Sequence, residues 1–260
     1  MKKRSNRQRL QTKLQASKSS KEKLLGILPA SSLSVPLCVR IILVISLLYC
    51  VFSFALGISV FSHIVYIHYY GHQGFAERAE SIRTIQRYLS VPEASLCVNS
   101  SDSNTLDTKD SQENTLPLTE RECEHMSDVK GLFKLDRMLF YTFLTLFGIV
   151  IIIYSIYTKL PAKFSLLLAK DIRLACILGF GILLALAILS LFNFTSLFYG
   201  FHELLFNNDL WLLPENSFLI QLFPEDFFAY MAMSIGAIAA FVFAAFFAIS
   251  KASVRCFSRL

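Results

Sequence analysis

Charge is scarce in this chain. Asp, Glu, Lys and Arg make up 17% of its 260 residues, against 54% hydrophobic ones, where a soluble domain carries about a quarter charged residues. The mean hydropathy is +0.52. That deficit excludes an ordinary soluble globular domain. The patterns GxxxxGK[ST] and GxGxxG are both missing, so no nucleotide cofactor is expected. CxxC pairs, zinc-like Cys/His spacing and HExxH are missing too, so no metal is expected. No cofactor of any kind is implied, and no nucleic-acid partner. The alternation of apolar and polar residues that marks a membrane barrel is absent.

What the chain has is four long apolar runs, at 37–65, 138–158, 174–198 and 227–250. Each supplies the ~20 residues that a helix needs to cross the hydrocarbon core. Helices satisfy their own backbone hydrogen bonds, so they are the economical way to span. The expected fold is an all-α membrane protein of four transmembrane helices with a small extracellular cap.

The remaining segments divide by charge. Residues 1–36 form a basic tail, 66–137 the cap, 159–173 a short loop, 199–226 a second outer segment and 251–260 the end of the chain. Residues 1–40 hold ten Lys or Arg against Glu22 alone. Lys159, Lys163, Lys170 and Arg173 face one acid, Asp171, and the tail has Lys251, Arg255 and Arg259 with none. Residues 66–136 carry twelve acids against seven bases, and 199–228 five against none. The positive-inside rule then puts both termini and 159–173 in the cytoplasm, with the acidic segments outside. The first run is too long for the apolar region of a signal peptide, and it reads as an uncleaved signal anchor.

Cys97 and Cys123 share the expected cap, where an oxidising exterior permits a disulfide. Residues 98–117 are polar and read as a flexible loop. Residues 76–89 place Ile82, Ile85 and Leu89 at helical spacing. Thr119 followed by Glu122 is a capping-box pattern and announces a helix start.

Two histidines stand in suggestive company. His125 and Asp128 in EHMSD are three apart and share a helix face, where the acid can orient the imidazole. His202 neighbours Glu203 in an acidic, aromatic segment, FHELLFNNDLWLLPENSFLIQLFPEDFF, that holds the only Trp. Pro214 and Pro224 keep it from being one straight helix. A His pair at a membrane surface can act as general base and general acid. A single such His reads more readily as an interfacial hydrogen bonder. His63, His68 and His72, and the tyrosines Tyr66, Tyr69 and Tyr70, read as interfacial belt residues.

The long segment and EHMSDVKGLF together resemble the two signatures of the bacterial lipoprotein intramolecular transacylases, four-span membrane proteins. The resemblance implies an acyltransferase located in the bacterial cell membrane. Its substrates would be diacylated lipoproteins whose N-terminal Cys carries a diacylglyceryl group. The sn-2 acyl chain would pass to the α-amino group of the same Cys, leaving a lyso-form lipoprotein. His125 and His202 match the catalytic pair. Asp128, Glu203 and Glu225 are then supporting groups, and Tyr66, Phe201, Trp211, Pro214 and Phe223 line the substrate chamber. Membrane lipid is the other partner.

Three readings compete. A metal-dependent hydrolase could draw on His125, Asp128, His202 and Glu203. An intermolecular acyltransferase could use Cys123 as nucleophile, unless a disulfide consumes it. A transporter or non-enzymatic partner is opposed by apolar runs nearly free of charge, apart from Arg40 at the inner edge, which can snorkel.

Overall fold

The computed structural model describes residues 35–97, 116–158 and 161–257, and among these it is helical without strands. Six helices follow in order: α1 (Leu37–Phe61), α2 (His63–Ser90), α3 (Glu120–Thr158), α4 (Pro161–Leu205), α5 (Phe218–Leu222) and α6 (Glu225–Phe257). α1, α3, α4 and α6 are long and apolar enough to cross a membrane. The expected loop 98–117, up to residue 115, and the tail 1–36, up to residue 34, lie outside the described residues.

The helices outrun the apolar stretches. The span expected at 138–158 belongs to α3, which starts at Glu120 without a break, so the EHMSD helix and the span are one rod. The expected loop 159–173 is helical from Pro161 onward, because proline suits the first turn of a helix and nothing after it stops α4. The first run ends early, at Phe61. Ser62 is extended there, and the orphan carbonyl of Val60 accepts from Tyr66 Oη (2.8 Å) and Gln86 Nε2 (2.7 Å). Gly71 turns α2 with φ of 74°, a backbone that L side chains rarely adopt.

The bundle has two distinct ends. At one, the start of α1, the end of α3 and the start of α4 meet. Arg40 Nε donates to both Asp171 oxygens (3.2 and 3.0 Å), a second guanidinium nitrogen reaches Oδ1 at 2.6 Å, and Tyr154 Oη donates to Oδ2 at 2.5 Å. Arg40 is therefore paired as well as able to snorkel, because a carboxylate only 1% exposed needs a partner. Mid-bundle, α4 and α6 touch so closely at Gly179 that an added Cβ would lie 2.5 Å from the Phe243 ring.

At the other end α2 lies over the helix termini. Val65, Tyr66, Phe75, Ile82, Ile85 and Leu89 pack with Met126 of α3, Leu219 and Leu222 of α5 and Phe227 and Met231 of α6. Cys97 and Cys123 are disulfide-bonded, with Cα atoms 6.2 Å apart, and tie the chain after α2 to α3. Tyr66 was expected at an interface and lining the site. It is 4% exposed within this core instead, because the Val60 carbonyl satisfies its hydroxyl and lets the ring be buried.

Candidate active site

The site is built where α3 begins and α4 ends. α4 breaks at Asn193 (φ −163°, ψ 90°). The Asn193 side chain accepts from the Ser196 backbone N–H at 2.9 Å and so caps a fresh helical segment. That segment carries His202. It is held sideways by Thr195, whose hydroxyl donates to Glu225 Oε1 at 2.6 Å.

His125 and His202 face each other, ring centroids 6.3 Å apart. His202 is 8% exposed. Trp211 stacks on it at 5.0 Å and 28°, Phe206 at 5.7 Å and 29°, and Phe198 closes in at 4.3 Å. Phe206 also sets its edge against His125 at 5.4 Å. The two imidazoles therefore share an aromatic box.

Hydrogen bonding separates their roles. His202 Nδ1 lies 2.7 Å from the Phe198 carbonyl. A carbonyl only accepts, so Nδ1 carries the proton and Nε2 presents a lone pair. His125 Nδ1 is buried without a hydrogen-bond partner. A buried N–H left unpaired is costlier and rarer than an unpaired acceptor, which favours the tautomer with the proton on Nε2. Both imidazoles lie beyond the apolar stretches, and burial lowers both pKa values. His125 falls to about 4, from desolvation first and His202 second, with the field of Asp128 opposing. Both rings are neutral at pH 7.

The other expected residues divide. Trp211 lies against His202. Asp128 lends its field to His125, but its carboxylate accepts from Asn208 Nδ2 at 2.9 Å. Glu203 is exposed and Phe201 is 54% exposed. A helix turns about 100° per residue, so the neighbours of an inward His202 point away. Phe201 nonetheless stands nearly perpendicular to His202, ring centroids 5.4 Å apart. Pro214 is exposed. Phe223 and Tyr66 meet each other and Phe227 one layer away from the imidazoles. Among the described residues no three His, Cys, Asp or Glu side chains converge as a metal site requires.

Sequence reasoning missed Phe198 and Phe206, although both lie four residues from His202 and the spacing was there to be read. It also missed the reach of Glu122, which is 0% exposed. Glu122 Oε2 closes the capping box, accepting from the Thr119 N–H and hydroxyl at 2.8 Å each. Its Oε1 accepts from the Leu219 N–H at 2.8 Å, ninety-seven residues on.

The family described as "Lipoprotein intramolecular transacylase Lit" matches residues 41–228. No curated protein matches the chain. Three solved structures share its fold. One is the membrane integral lipoprotein intramolecular transacylase Lit from Bacillus cereus. It is 19% identical with a TM-score of 0.65, over 86% of this chain and 97% of that one. A histidine-to-alanine variant of that protein is 20% identical (TM-score 0.63, 86% and 95% covered). A histidine-to-arginine variant is 22% identical (TM-score 0.56, 84% and 91% covered).

Proposed function

The chain belongs to the lipoprotein intramolecular transacylase family and is an acyltransferase; we propose that it moves the sn-2 acyl chain of a diacylglyceryl-Cys lipoprotein onto the α-amino group of that Cys. The product is a lyso-form lipoprotein. One observation carries this reading: His125 and His202 face each other, ring centroids 6.3 Å apart, among the rings of Phe198, Phe206 and Trp211.

The amine and the ester belong to one substrate molecule, so the enzyme's task is to hold them together. Well-oriented partners avoid the entropy of a bimolecular encounter. The amine attacks the ester carbonyl and an N–C bond forms. His125 Nε2–H donates a hydrogen bond to the carbonyl oxygen as it gains negative charge, the role a neutral imidazole can fill. His202 Nε2 takes the proton that the attacking nitrogen sheds. The C–O bond to glycerol then breaks, and His202 returns that proton to the departing oxygen. Atoms balance: one N–H becomes one O–H, and an ester becomes an amide. Since that exchange is downhill, no nucleotide is called for.

The rival readings weaken. For a metal hydrolase, Glu203 faces outward and Asp128 is engaged by Asn208. For a cysteine nucleophile, Cys123 is in a disulfide. Charge supports the sidedness. Arg40, Lys163, Lys170 and Arg173 cluster near the Asp171 end, so the histidines would face outward and both termini the cytoplasm.

The test is to express the protein in a bacterium that makes only diacylglyceryl lipoproteins, beside His125→Ala and His202→Ala. The N-terminal lipopeptide of one abundant lipoprotein is then sequenced by tandem mass spectrometry. One acyl chain should move from glycerol to nitrogen at unchanged total mass with wild type, and with neither variant. A lipopeptide that keeps both glycerol esters under wild type overturns the reading.

A further inference from the structure

Between α4 and α5 the chain runs as a strap, residues 206–217, and this strap supplies two walls of the aromatic box, Phe206 and Trp211. It has little regular structure of its own. Its own backbone bonds are local, such as Leu212 N–H to Asp209 C=O (3.0 Å) and Ser217 N–H to Pro214 C=O (2.9 Å). Something outside it must fix its position over the imidazoles.

Beside the His125–Phe206 ring contact, three hydrogen bonds join it or its far end to α3. Arg121 donates to the Asp209 carbonyl, and Asn208 of the strap donates to Asp128. Both of these lie at the surface, where water competes and such contacts are worth little. The third is Glu122 to the Leu219 N–H, and it is sealed from water. A buried carboxylate is stable only with its oxygens satisfied. Here three donors do that, and charge-assisted bonds of this kind are the strong ones. Glu122 sits one turn before His125 on the same face of α3. One residue thus fixes the start of the helix that carries His125 and the end of the strap that covers His202.

We infer that Glu122 is the positioning residue of this active site: its buried carboxylate, through the Leu219 N–H, holds Phe206 and Trp211 over the His125–His202 pair. The inference rests on the transacylase reading for its catalytic consequence, but not for its structural one. What matters is the reach of the side chain, since it must span from Thr119 to Leu219. Its charge is secondary for the tether, because an amide of the same length keeps its oxygen on the Leu219 N–H; the bond it loses is the one from the Thr119 N–H, on the cap side. A shorter carboxylate can still cap α3 but falls one methylene short of Leu219.

Trp211 is the only tryptophan, so its fluorescence reports the strap directly. Glu122→Asp, Glu122→Gln and Thr119→Ala are compared with wild type in detergent, for emission wavelength, acrylamide quenching and turnover of a diacylated lipopeptide. Glu122→Asp should shift Trp211 emission to the red, raise its quenching and lower kcat by about tenfold to a hundredfold, the cost of a misplacement near 1 Å. Glu122→Gln should restore both readings. Thr119→Ala weakens the helix cap alone and should leave Trp211 unchanged. Unaltered emission and turnover in Glu122→Asp overturns the inference. So does a Gln variant as impaired as the Asp one, which would assign the effect to charge. If wild type turns over no lipopeptide, the proposed function fails, while the fluorescence comparison still decides the tether.

Discussion

Trp211 lies nearly flat on His202, with ring centroids 5.0 Å apart and planes inclined by 28°. The stack does two things. It excludes water from the face of the imidazole, and it fixes the ring plane that the Phe198 carbonyl has already oriented at Nδ1. Removing the indole should therefore cost catalysis more than stability. Trp211→Ala is expected to lower kcat by about tenfold to a hundredfold, and Trp211→Phe by much less, since it keeps a stacking face. Steady-state kinetics with a diacylated lipopeptide would tell these apart.

The acid beside His202 should be dispensable. Glu203 is exposed, and surface substitutions away from special features usually change stability by within about 0.5 kcal/mol. Glu203→Gln is expected to retain wild-type turnover in the mass-spectrometric assay, while His202→Ala loses it. A large loss in Glu203→Gln would point back to a metal-dependent or carboxylate-based mechanism.

Both imidazoles are held neutral by burial, so acid should weaken the fold before it explains the rate. An unfolded histidine titrates near 6.5, whereas folded His125 titrates at about 4. A lowered folded pKa adds stability above the unfolded value and loses it as pH falls toward the folded one. Thermal unfolding midpoints should therefore drop from about pH 6.5 to about pH 4. Turnover follows another group. The substrate's α-ammonium titrates near pH 8 and must shed its proton before attack. A profile of kcat/KM against pH should rise toward about 8 without an inflection at 6.5.

At the far end of the bundle, the Arg40–Asp171–Tyr154 cluster should behave as a unit. Asp171→Ala leaves the buried Tyr154 phenol without its acceptor and the partly exposed Arg40 without its partner, at a cost of about 1–3 kcal/mol. Changing Arg40 to Met and Asp171 to Leu together should recover much of the loss. Thermal unfolding of the two variants measures this, and turnover per folded molecule should be unaltered.

Gly179 gives a purely steric prediction. A Cβ there would meet the Phe243 ring at 2.5 Å, so Gly179→Ala should lower stability by about 1–3 kcal/mol through overpacking. Phe243→Leu in the same chain should offset part of that. Paired unfolding curves would show whether the two substitutions couple.

The four spans were legible in the sequence because they rest on a local rule, and so were His125 and His202 as candidates, which the fold brings to a ring separation of 6.3 Å. Hydropathy, charge balance and helical spacing need no tertiary information. The capping box at Thr119 and Glu122 was legible for the same reason. What stayed hidden depends on contacts across long separations. The second bond of Glu122 goes to Leu219, and Asp128 turns to Asn208. Tyr66 hides its hydroxyl on Val60 and leaves the chamber it was expected to line. Glu203 is exposed, and Phe201, although 54% exposed, still sets its ring against His202. Adjacency in sequence suggested a shared site, whereas a helix turns neighbours onto different faces. Phe198 and Phe206 show the converse, since spacing by four was the better guide.

The Cys97–Cys123 bond closes a covalent ring whose last residues, 116–122, pack on the core and begin α3. Its departure and return points stand a fixed 6.2 Å apart between Cα atoms, whatever number of residues separates them. Inserting residues between 98 and 115 costs only a slowly growing entropy, and the bond keeps that cost from the part of α3 that follows Cys123. Residues 98–115 are thus free to change in length and composition without touching Thr119, Glu122 or the imidazoles. For the same reason a purification tag or a fluorescent reporter spliced into this stretch should ride on a working enzyme.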